Sequence, residues 1–175
     1  MEQIKGSAKK IMINYGLLLG VISVLLNVIL YATNNHIQPH WSVNLIGFLI
    51  FIIVMVTALK SFKKDNGGFM KLGEAIKIGL GVALISTLIG VVYTYVLVNF
   101  LEPTYFEQLM SIQRDTMIES NPNMTQEQID QSMGIAEKFS GAGIIITFQI
   151  IGGLFFGFII SLIAGLVLKK DNPAV

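Results

Sequence analysis

The chain has 175 residues, of which 53% are hydrophobic and 13% charged, and its formal net charge is +1. Because a soluble domain carries about 25% charged residues, this composition excludes a fully water-exposed surface and predicts a polytopic membrane protein. The small net charge argues against nucleic acid as a partner. The absence of Cys excludes disulfides and thiolate chemistry.

Four apolar stretches meet the requirement of about 20 residues for a helix that crosses a bilayer. They cover residues 11–32, 41–59, 75–100 and 143–168. We therefore expect a single all-α membrane domain over residues 1–175, an integral membrane four-helix bundle. The intervening segment 101–142 predicts an extra-membrane helical hairpin between spans three and four.

The basic residues predict the orientation of these spans. Ten of the 12 Lys and Arg residues flank one side of a four-pass topology: Lys5, Lys9, Lys10, Lys60, Lys63, Lys64, Lys71, Lys77, Lys169 and Lys170. The other side holds only Arg114 and Lys138. Since cytoplasmic loops carry the excess of Lys and Arg, both termini are expected in the cytoplasm.

Small residues recur at helical spacing in three of the spans. Candidate helix-packing positions are Gly16 and Gly20 in span one and Gly153, Gly157, Ser161 and Gly165 in span four. Span three offers Gly79, Ala83, Ser86 and Gly90 in the same manner. Such stripes let helix backbones approach closely within a bilayer. They fit packing within the chain, and alternatively the formation of a homodimer.

Between spans two and three the sequence DNGGFMKLGEAIKIGL, residues 65–80, predicts a cytoplasmic elbow. Gly67 and Gly68 permit a tight reversal, and Phe69 and Met70 are expected to dip into the membrane interface. Glu74 falls in the first helical turn, where a carboxylate offsets the helix dipole. Lys71 and Lys77 lie three residues to either side of Glu74. The elbow is thus a charged helix start or, alternatively, a binding site formed by Gly67, Gly68, Lys71, Glu74 and Lys77.

The long segment between spans three and four has the pattern of two amphipathic helices. Pro103 suits the first turn of one helix, and Thr125 with Gln128 predicts a capping box at the start of the other. The segment has an excess of acidic residues, seven acids against two bases. Its apolar stripes are expected to pack on each other, lie on the membrane surface or dock a partner. His36 and His40 are four residues apart, but Pro39 breaks the helix that would align them, so no metal site is assigned.

Several stretches resemble one family of small bacterial membrane proteins. They are GGFMKLGEAIKIG (67–79), EPTY (102–105), MTQEQIDQSMGIAEKF (124–139) and SLIAGLVLKK (161–170). Together they resemble domain-of-unknown-function family 4199, common in Bacteroidota, in which Asp-Pro stands where this chain has Glu102-Pro103. The resemblance implies a four-span inner-membrane protein and supplies no catalytic or binding residues.

No Asp, Glu, Lys, Arg or His lies deep in any span. Coupled transport generally needs such a residue, and hydrolysis needs a nucleophile with a base or a metal-bound water. We therefore expect no catalytic residue, cofactor or metal, and a non-enzymatic accessory, assembly or envelope-associated role. The expected partners are the lipid bilayer and either a second copy or another membrane protein. The alternatives are a subunit of a small oligomeric transporter or channel and a membrane enzyme that uses Glu74 as a base, with Lys71 and Lys77, on a lipid or phosphate substrate.

Overall fold

The computed structural model describes residues 2–171, with side chains from Ser7 onward, so the side chain of Lys5 lies outside the described part. The described residues form six α-helices and no strand. They are α1 (Glu2–Ala32), α2 (Trp41–Asp65), α3 (Leu72–Val96), α4 (Tyr105–Ser120), α5 (Gln126–Lys138) and α6 (Ala142–Leu168). A π-helical turn, Leu97–Leu101, continues α3. The expected all-α fold is confirmed.

Four of these helices are long and apolar enough to cross a membrane. The candidate spans are Ser7–Ala32, Trp41–Asp65, Leu72–Leu101 and Ala142–Leu168. Each contains one of the apolar stretches recognised in the sequence and extends a little beyond it. The second extends furthest, because α2 continues through Lys60, Lys63 and Lys64 before it ends at Asp65.

The contacts within the chain divide it into two compact units. We call the residues up to Gly90, together with those from Ile150 onward, the core unit, and residues 91–149 the insert unit. Residues of α1, α2, α3 and α6 share the buried apolar cluster of the core unit. Helix α3 is the most enclosed of the four candidate spans. In the most apolar 18-residue stretch of each span, 33% of the residues are buried in α3, against 17–22% in the other three.

Within the core unit, α3 and α6 pack through their small residues. A Cβ placed on Gly153, Gly157 or Gly165 would collide with Thr87, Ala83 or Ala75, respectively. In the same row, Gly79 faces Ser161, which is fully buried. Each step of four residues along α3 is matched by a step of four back along α6, so the two helices are antiparallel and in close backbone contact.

A second face of α3 packs on α1 in the parallel direction. A Cβ on Gly16 would lie 2.6 Å from the Cβ of Ile85, and one on Gly20 would lie 2.5 Å from the Cδ1 of Ile89. Gly81 of α3 faces Met12 of α1 in the same way. In both pairs of helices, glycine on one helix accommodates a side chain or a second small residue on the other.

In the insert unit, α5 begins with the predicted capping box. The Gln128 backbone N–H donates to the Thr125 Oγ1 at 3.3 Å, and the Thr125 backbone N–H donates to the Gln128 Oε1 at 2.9 Å. Helix α4, by contrast, begins at Tyr105 with Thr104 as its N-cap, so Pro103 precedes the helix instead of opening it. The turn in which the Tyr105 N–H donates to the Glu102 carbonyl accounts for the later start.

Candidate functional site

Three segments distant in sequence meet at one end of the core unit. The Ser7 hydroxyl donates to Asp65 at the end of α2, at 3.2 Å. The Lys63 Nζ donates to the Leu168 carbonyl at 2.7 Å, which places a cation on the last carbonyl of α6. Met70 and Lys170 exchange backbone hydrogen bonds at 3.0 Å in both directions. The start of α1, the α2–α3 elbow and the end of α6 therefore form one basic surface.

The elbow ends α2 with the 6→1 backbone hydrogen bond of a Schellman motif and a left-handed glycine directly after the C-cap. The Gly68 N–H donates to the Lys63 carbonyl at 2.8 Å, and Asn66 is the C-cap. Gly67 and Gly68 have φ of +66° and +87°, a region that L side chains rarely adopt. Nothing lies within 4 Å of a Cβ at Gly68. Backbone conformation, not crowding, therefore accounts for glycine at this position.

Glu74 caps the start of α3. Its Oε2 accepts the backbone N–H of Lys71 at 2.7 Å, while the Lys71 carbonyl accepts the N–H groups of Glu74 and Ala75, both at 3.1 Å. This is the Glu half of a capping box. The carboxylate also lies at the positive end of the helix dipole, as the sequence suggested. What Lys71 gives to Glu74 is a backbone N–H bond.

Met70 occupies a different environment from the one the sequence suggested. Instead of dipping into the membrane interface, it is fully buried in the protein core, at 0% exposure. Its backbone pairs with that of Lys170 just beyond the end of α6. Phe69 is half-buried, and the Lys170 Nζ lies 5.5 Å from the centre of its ring. The prediction that Met70 dips into the membrane interface is therefore wrong. Its backbone partner, Lys170, is a hundred positions away in the chain, so no local pattern in the sequence indicates the pairing.

A cavity of about 370 Å³ opens beside Glu74 between α1, α2 and α3. Lys9, Glu74 and Lys77 contribute its charged groups, and Met12, Phe62 and Ile78 contribute apolar walls. The structure thus brings together two of the five predicted elbow-site residues, whereas Gly67, Gly68 and Lys71 do not line this cavity. Lys9 joins the site from α1, and in the sequence it was visible only as one of the basic residues that set orientation.

The insert unit carries a larger cleft, of about 640 Å³, between α4 and α5. Phe106, Met110 and Met133 give it an apolar lining, while Glu107 and Glu137 add carboxylates. The Arg114 guanidinium, which also lines the cleft, is ion-paired with Asp130. Ile129 is 4% exposed, so the stripe of α5 is partly covered within the unit.

Two further polar features lie in the insert unit. The Thr94 hydroxyl donates to the Gln149 Oε1 at 3.2 Å, which pairs two of the few polar side chains within the spans. Burial, reinforced by the charge of Glu102, raises the pKa of the Tyr105 phenol.

The two histidines make different local interactions. The His40 Nδ1 accepts the Ser42 N–H at 3.4 Å and lies 2.8 Å from the Ser42 hydroxyl, so His40 caps α2. The His36 ring stacks edge-on to Tyr31, with centroids 5.1 Å apart.

The four long apolar helices define the class: this is a multi-pass helical membrane protein. A family model described as "Protein of unknown function (DUF4199)" matches residues 14–170. The chain therefore belongs to this family, over nearly its whole length, and the resemblance noted in the sequence is confirmed. Comparisons with curated proteins and with solved structures returned no match.

Proposed function

We propose that the protein resides in a bacterial inner membrane with both termini in the cytoplasm and acts as a non-enzymatic accessory component. Helices α4 and α5 form an extra-membrane hairpin on the outer side, and the cleft between them engages another membrane protein. The observation that carries this proposal is the cleft itself, which is lined by half-buried apolar side chains and exposed carboxylates.

The charge distribution supports the orientation. Hydrogen bonds bring the start of α1, the elbow and the end of α6 to one end of the core unit. These are the segments that hold the lysines, and the positive-inside rule assigns such an end to the cytoplasm.

The chemistry of the cleft supports a protein partner. Apolar side chains at the centre with charged groups around them are the usual composition of a binding patch. Phe106, Met110 and Met133 supply the apolar side chains, and methionine adapts readily to a partner's shape. Glu107 and Glu137 favour a partner segment that carries Lys or Arg beside its apolar anchors.

Two observations favour this role over the alternatives. The small residues of α6, which could surround a transport path only if they were free to face other copies, pack on α3 within the chain. The Glu74 carboxylate, the candidate base of an enzyme, accepts the Lys71 N–H as a helix cap. Each feature then has a structural explanation that requires neither transport nor catalysis.

The orientation can be tested directly because the chain lacks Cys. Single cysteines at exposed Asn35, Asn123 and Asp171 would be labelled in intact cells with a membrane-impermeant maleimide. We expect Asn35→Cys and Asn123→Cys to react, and Asp171→Cys to react only after the cells are permeabilised. Labelling of Asp171→Cys in intact cells would refute the orientation.

The partner can be tested by crosslinking in cells. A photoreactive amino acid would replace Met133, which lines the cleft, or Gln131, an exposed residue of the same helix that does not. We expect a discrete adduct from position 133 only, identified by mass spectrometry. Equal adducts from both positions, or none, would contradict the proposal, and an adduct with a second copy would redirect it to self-association.

A further inference from the structure

A second groove of the core unit lies between α2 and α6 and has a volume of about 440 Å³. Ile52, Val56 and Lys60 form one wall, each a helical turn after the last on α2. Ile160, Ala164 and Leu168 form the other wall at the same spacing on α6. Apart from Lys60, the side chains along this groove are apolar.

The length of the groove corresponds to one leaflet of a bilayer. From Ile52 to Lys60 the helix rises about 12 Å at 1.5 Å per residue. Half of a hydrocarbon core is about 15 Å thick. The small side chain of Ala164, between Ile160 and Leu168, leaves room for a chain to lie between the helices. The shape therefore suits one acyl chain running from the membrane surface towards its middle.

Lys60 places a positive charge at the surface end of the groove. Its side chain is exposed, and its ammonium has no hydrogen bond or ion pair among the side chains from Ser7 to Asp171. Lys63, by contrast, is bound to the Leu168 carbonyl. Lys64 follows one turn after Lys60, and Lys169 directly follows Leu168 at the end of α6, both exposed.

We propose that this groove is a binding site for one anionic phospholipid, in the leaflet at the end of the core unit that holds the elbow. The acyl chain lies between α2 and α6, and the Lys60 ammonium binds the headgroup phosphate. A zwitterionic lipid carries its own ammonium group, so the additional charges of Lys64 and Lys169 favour a headgroup with net negative charge. The site requires membrane insertion but is independent of any partner at the α4–α5 cleft.

Native mass spectrometry of the full chain in detergent tests the site, with phosphatidylglycerol and phosphatidylcholine added in parallel. We expect one phosphatidylglycerol to be retained per chain and phosphatidylcholine to bind more weakly. Lys60→Gln should weaken phosphatidylglycerol binding about fivefold, the effect of one cation near a membrane surface. The matched control is Lys71→Gln, which removes an equal charge from the same end of the core unit and should change binding little.

A second variant tests the acyl chain separately from the headgroup. Ala164→Leu fills the groove without altering charge and should also lower the retention of phosphatidylglycerol. In a separate competition, glycerol phosphate, which lacks acyl chains, should not displace phosphatidylglycerol. Far-UV circular dichroism confirms folding, and if Ala164→Leu fails to fold, exposed Val167→Trp at the same groove replaces it. Equal losses in Lys60→Gln and Lys71→Gln, or equal binding of the two lipids, would overturn the proposal in favour of diffuse attraction to the basic surface.

Discussion

Replacing Gly157 with Ala tests the close packing of α3 and α6. The new methyl group would collide with the Cβ of Ala83, which is fully buried. Carbon atoms prefer separations of about 3.5–4.0 Å, and an alanine Cβ has no rotamer by which to move away. The two backbones must therefore separate, and overpacking of this kind costs about 1–3 kcal/mol. The matched control is Gly152→Ala on the same helix, where nothing lies within 4 Å of the added Cβ.

The assay is unfolding in mixed detergent and SDS micelles, followed by near-UV circular dichroism of the packed aromatic residues. We expect Gly157→Ala to unfold at lower SDS fraction than the parent, and Gly152→Ala to unfold at the parent value or slightly above it. The double variant Ala83→Gly with Gly157→Ala moves one methyl group from α3 to α6 and should recover most of the loss. A coupling energy below about 0.5 kcal/mol between the two changes, or equal effects of Gly152→Ala and Gly157→Ala, would refute the register.

Three further predictions concern the helix ends and the insert unit. Glu74→Ala removes the cap of α3 and should lower the free energy of unfolding by about 1 kcal/mol in the same assay. Glu74→Gln should cost less, because its amide oxygen can accept the same Lys71 N–H bond. Equal losses in the two variants would indicate that the charge of Glu74 alone matters. Gly134 lies exposed within α5 with open space around it, so Gly134→Ala should stabilise the protein by about 0.5–1 kcal/mol, and a lower thermal midpoint would contradict this. The pKa of Tyr105 is raised in the folded state above its ordinary value of 10.0; the stability it contributes is therefore full below pH 10 and lost as the pH rises through the folded pKa. Above pH 10 the thermal midpoint should accordingly fall more steeply with pH for the parent than for Tyr105→Phe. Parallel falls in the two proteins would exclude ionisation of the Tyr105 phenol as the cause.

Local signals in the sequence predicted much of the fold. The apolar stretches identified the four candidate spans, and the Thr125 and Gln128 pattern identified the start of α5. These features depend on residues within one or two helical turns of each other, so they can be recognised from spacing alone. The start of α4 was misplaced at Pro103 because the turn at Glu102, which follows a π-helical turn, is not encoded by one residue type.

The candidate sites required more than local patterns. Glu74 and Lys77 were marked by their place in the elbow, but the cavity beside them is completed by Lys9 from α1. Likewise, the groove at Lys60 exists only because α6 packs beside α2. Residues so far apart along the chain are brought together by the packing of whole helices, which no short motif records.

The sequence by itself determined a four-span helical membrane protein, the capping box at Thr125 and the place of Glu74 in the first turn of α3, because apolar length and capping chemistry act over short distances. Tertiary structure alone decided that the α6 stripe packs on α3, that Met70 is buried and pairs its backbone with Lys170, and that Lys60 lies beside an apolar groove. The physical reason is competition among helix pairs. Several spans offer small-residue faces of similar quality, and the observed pairing is the one in which each close approach finds space on the opposite helix.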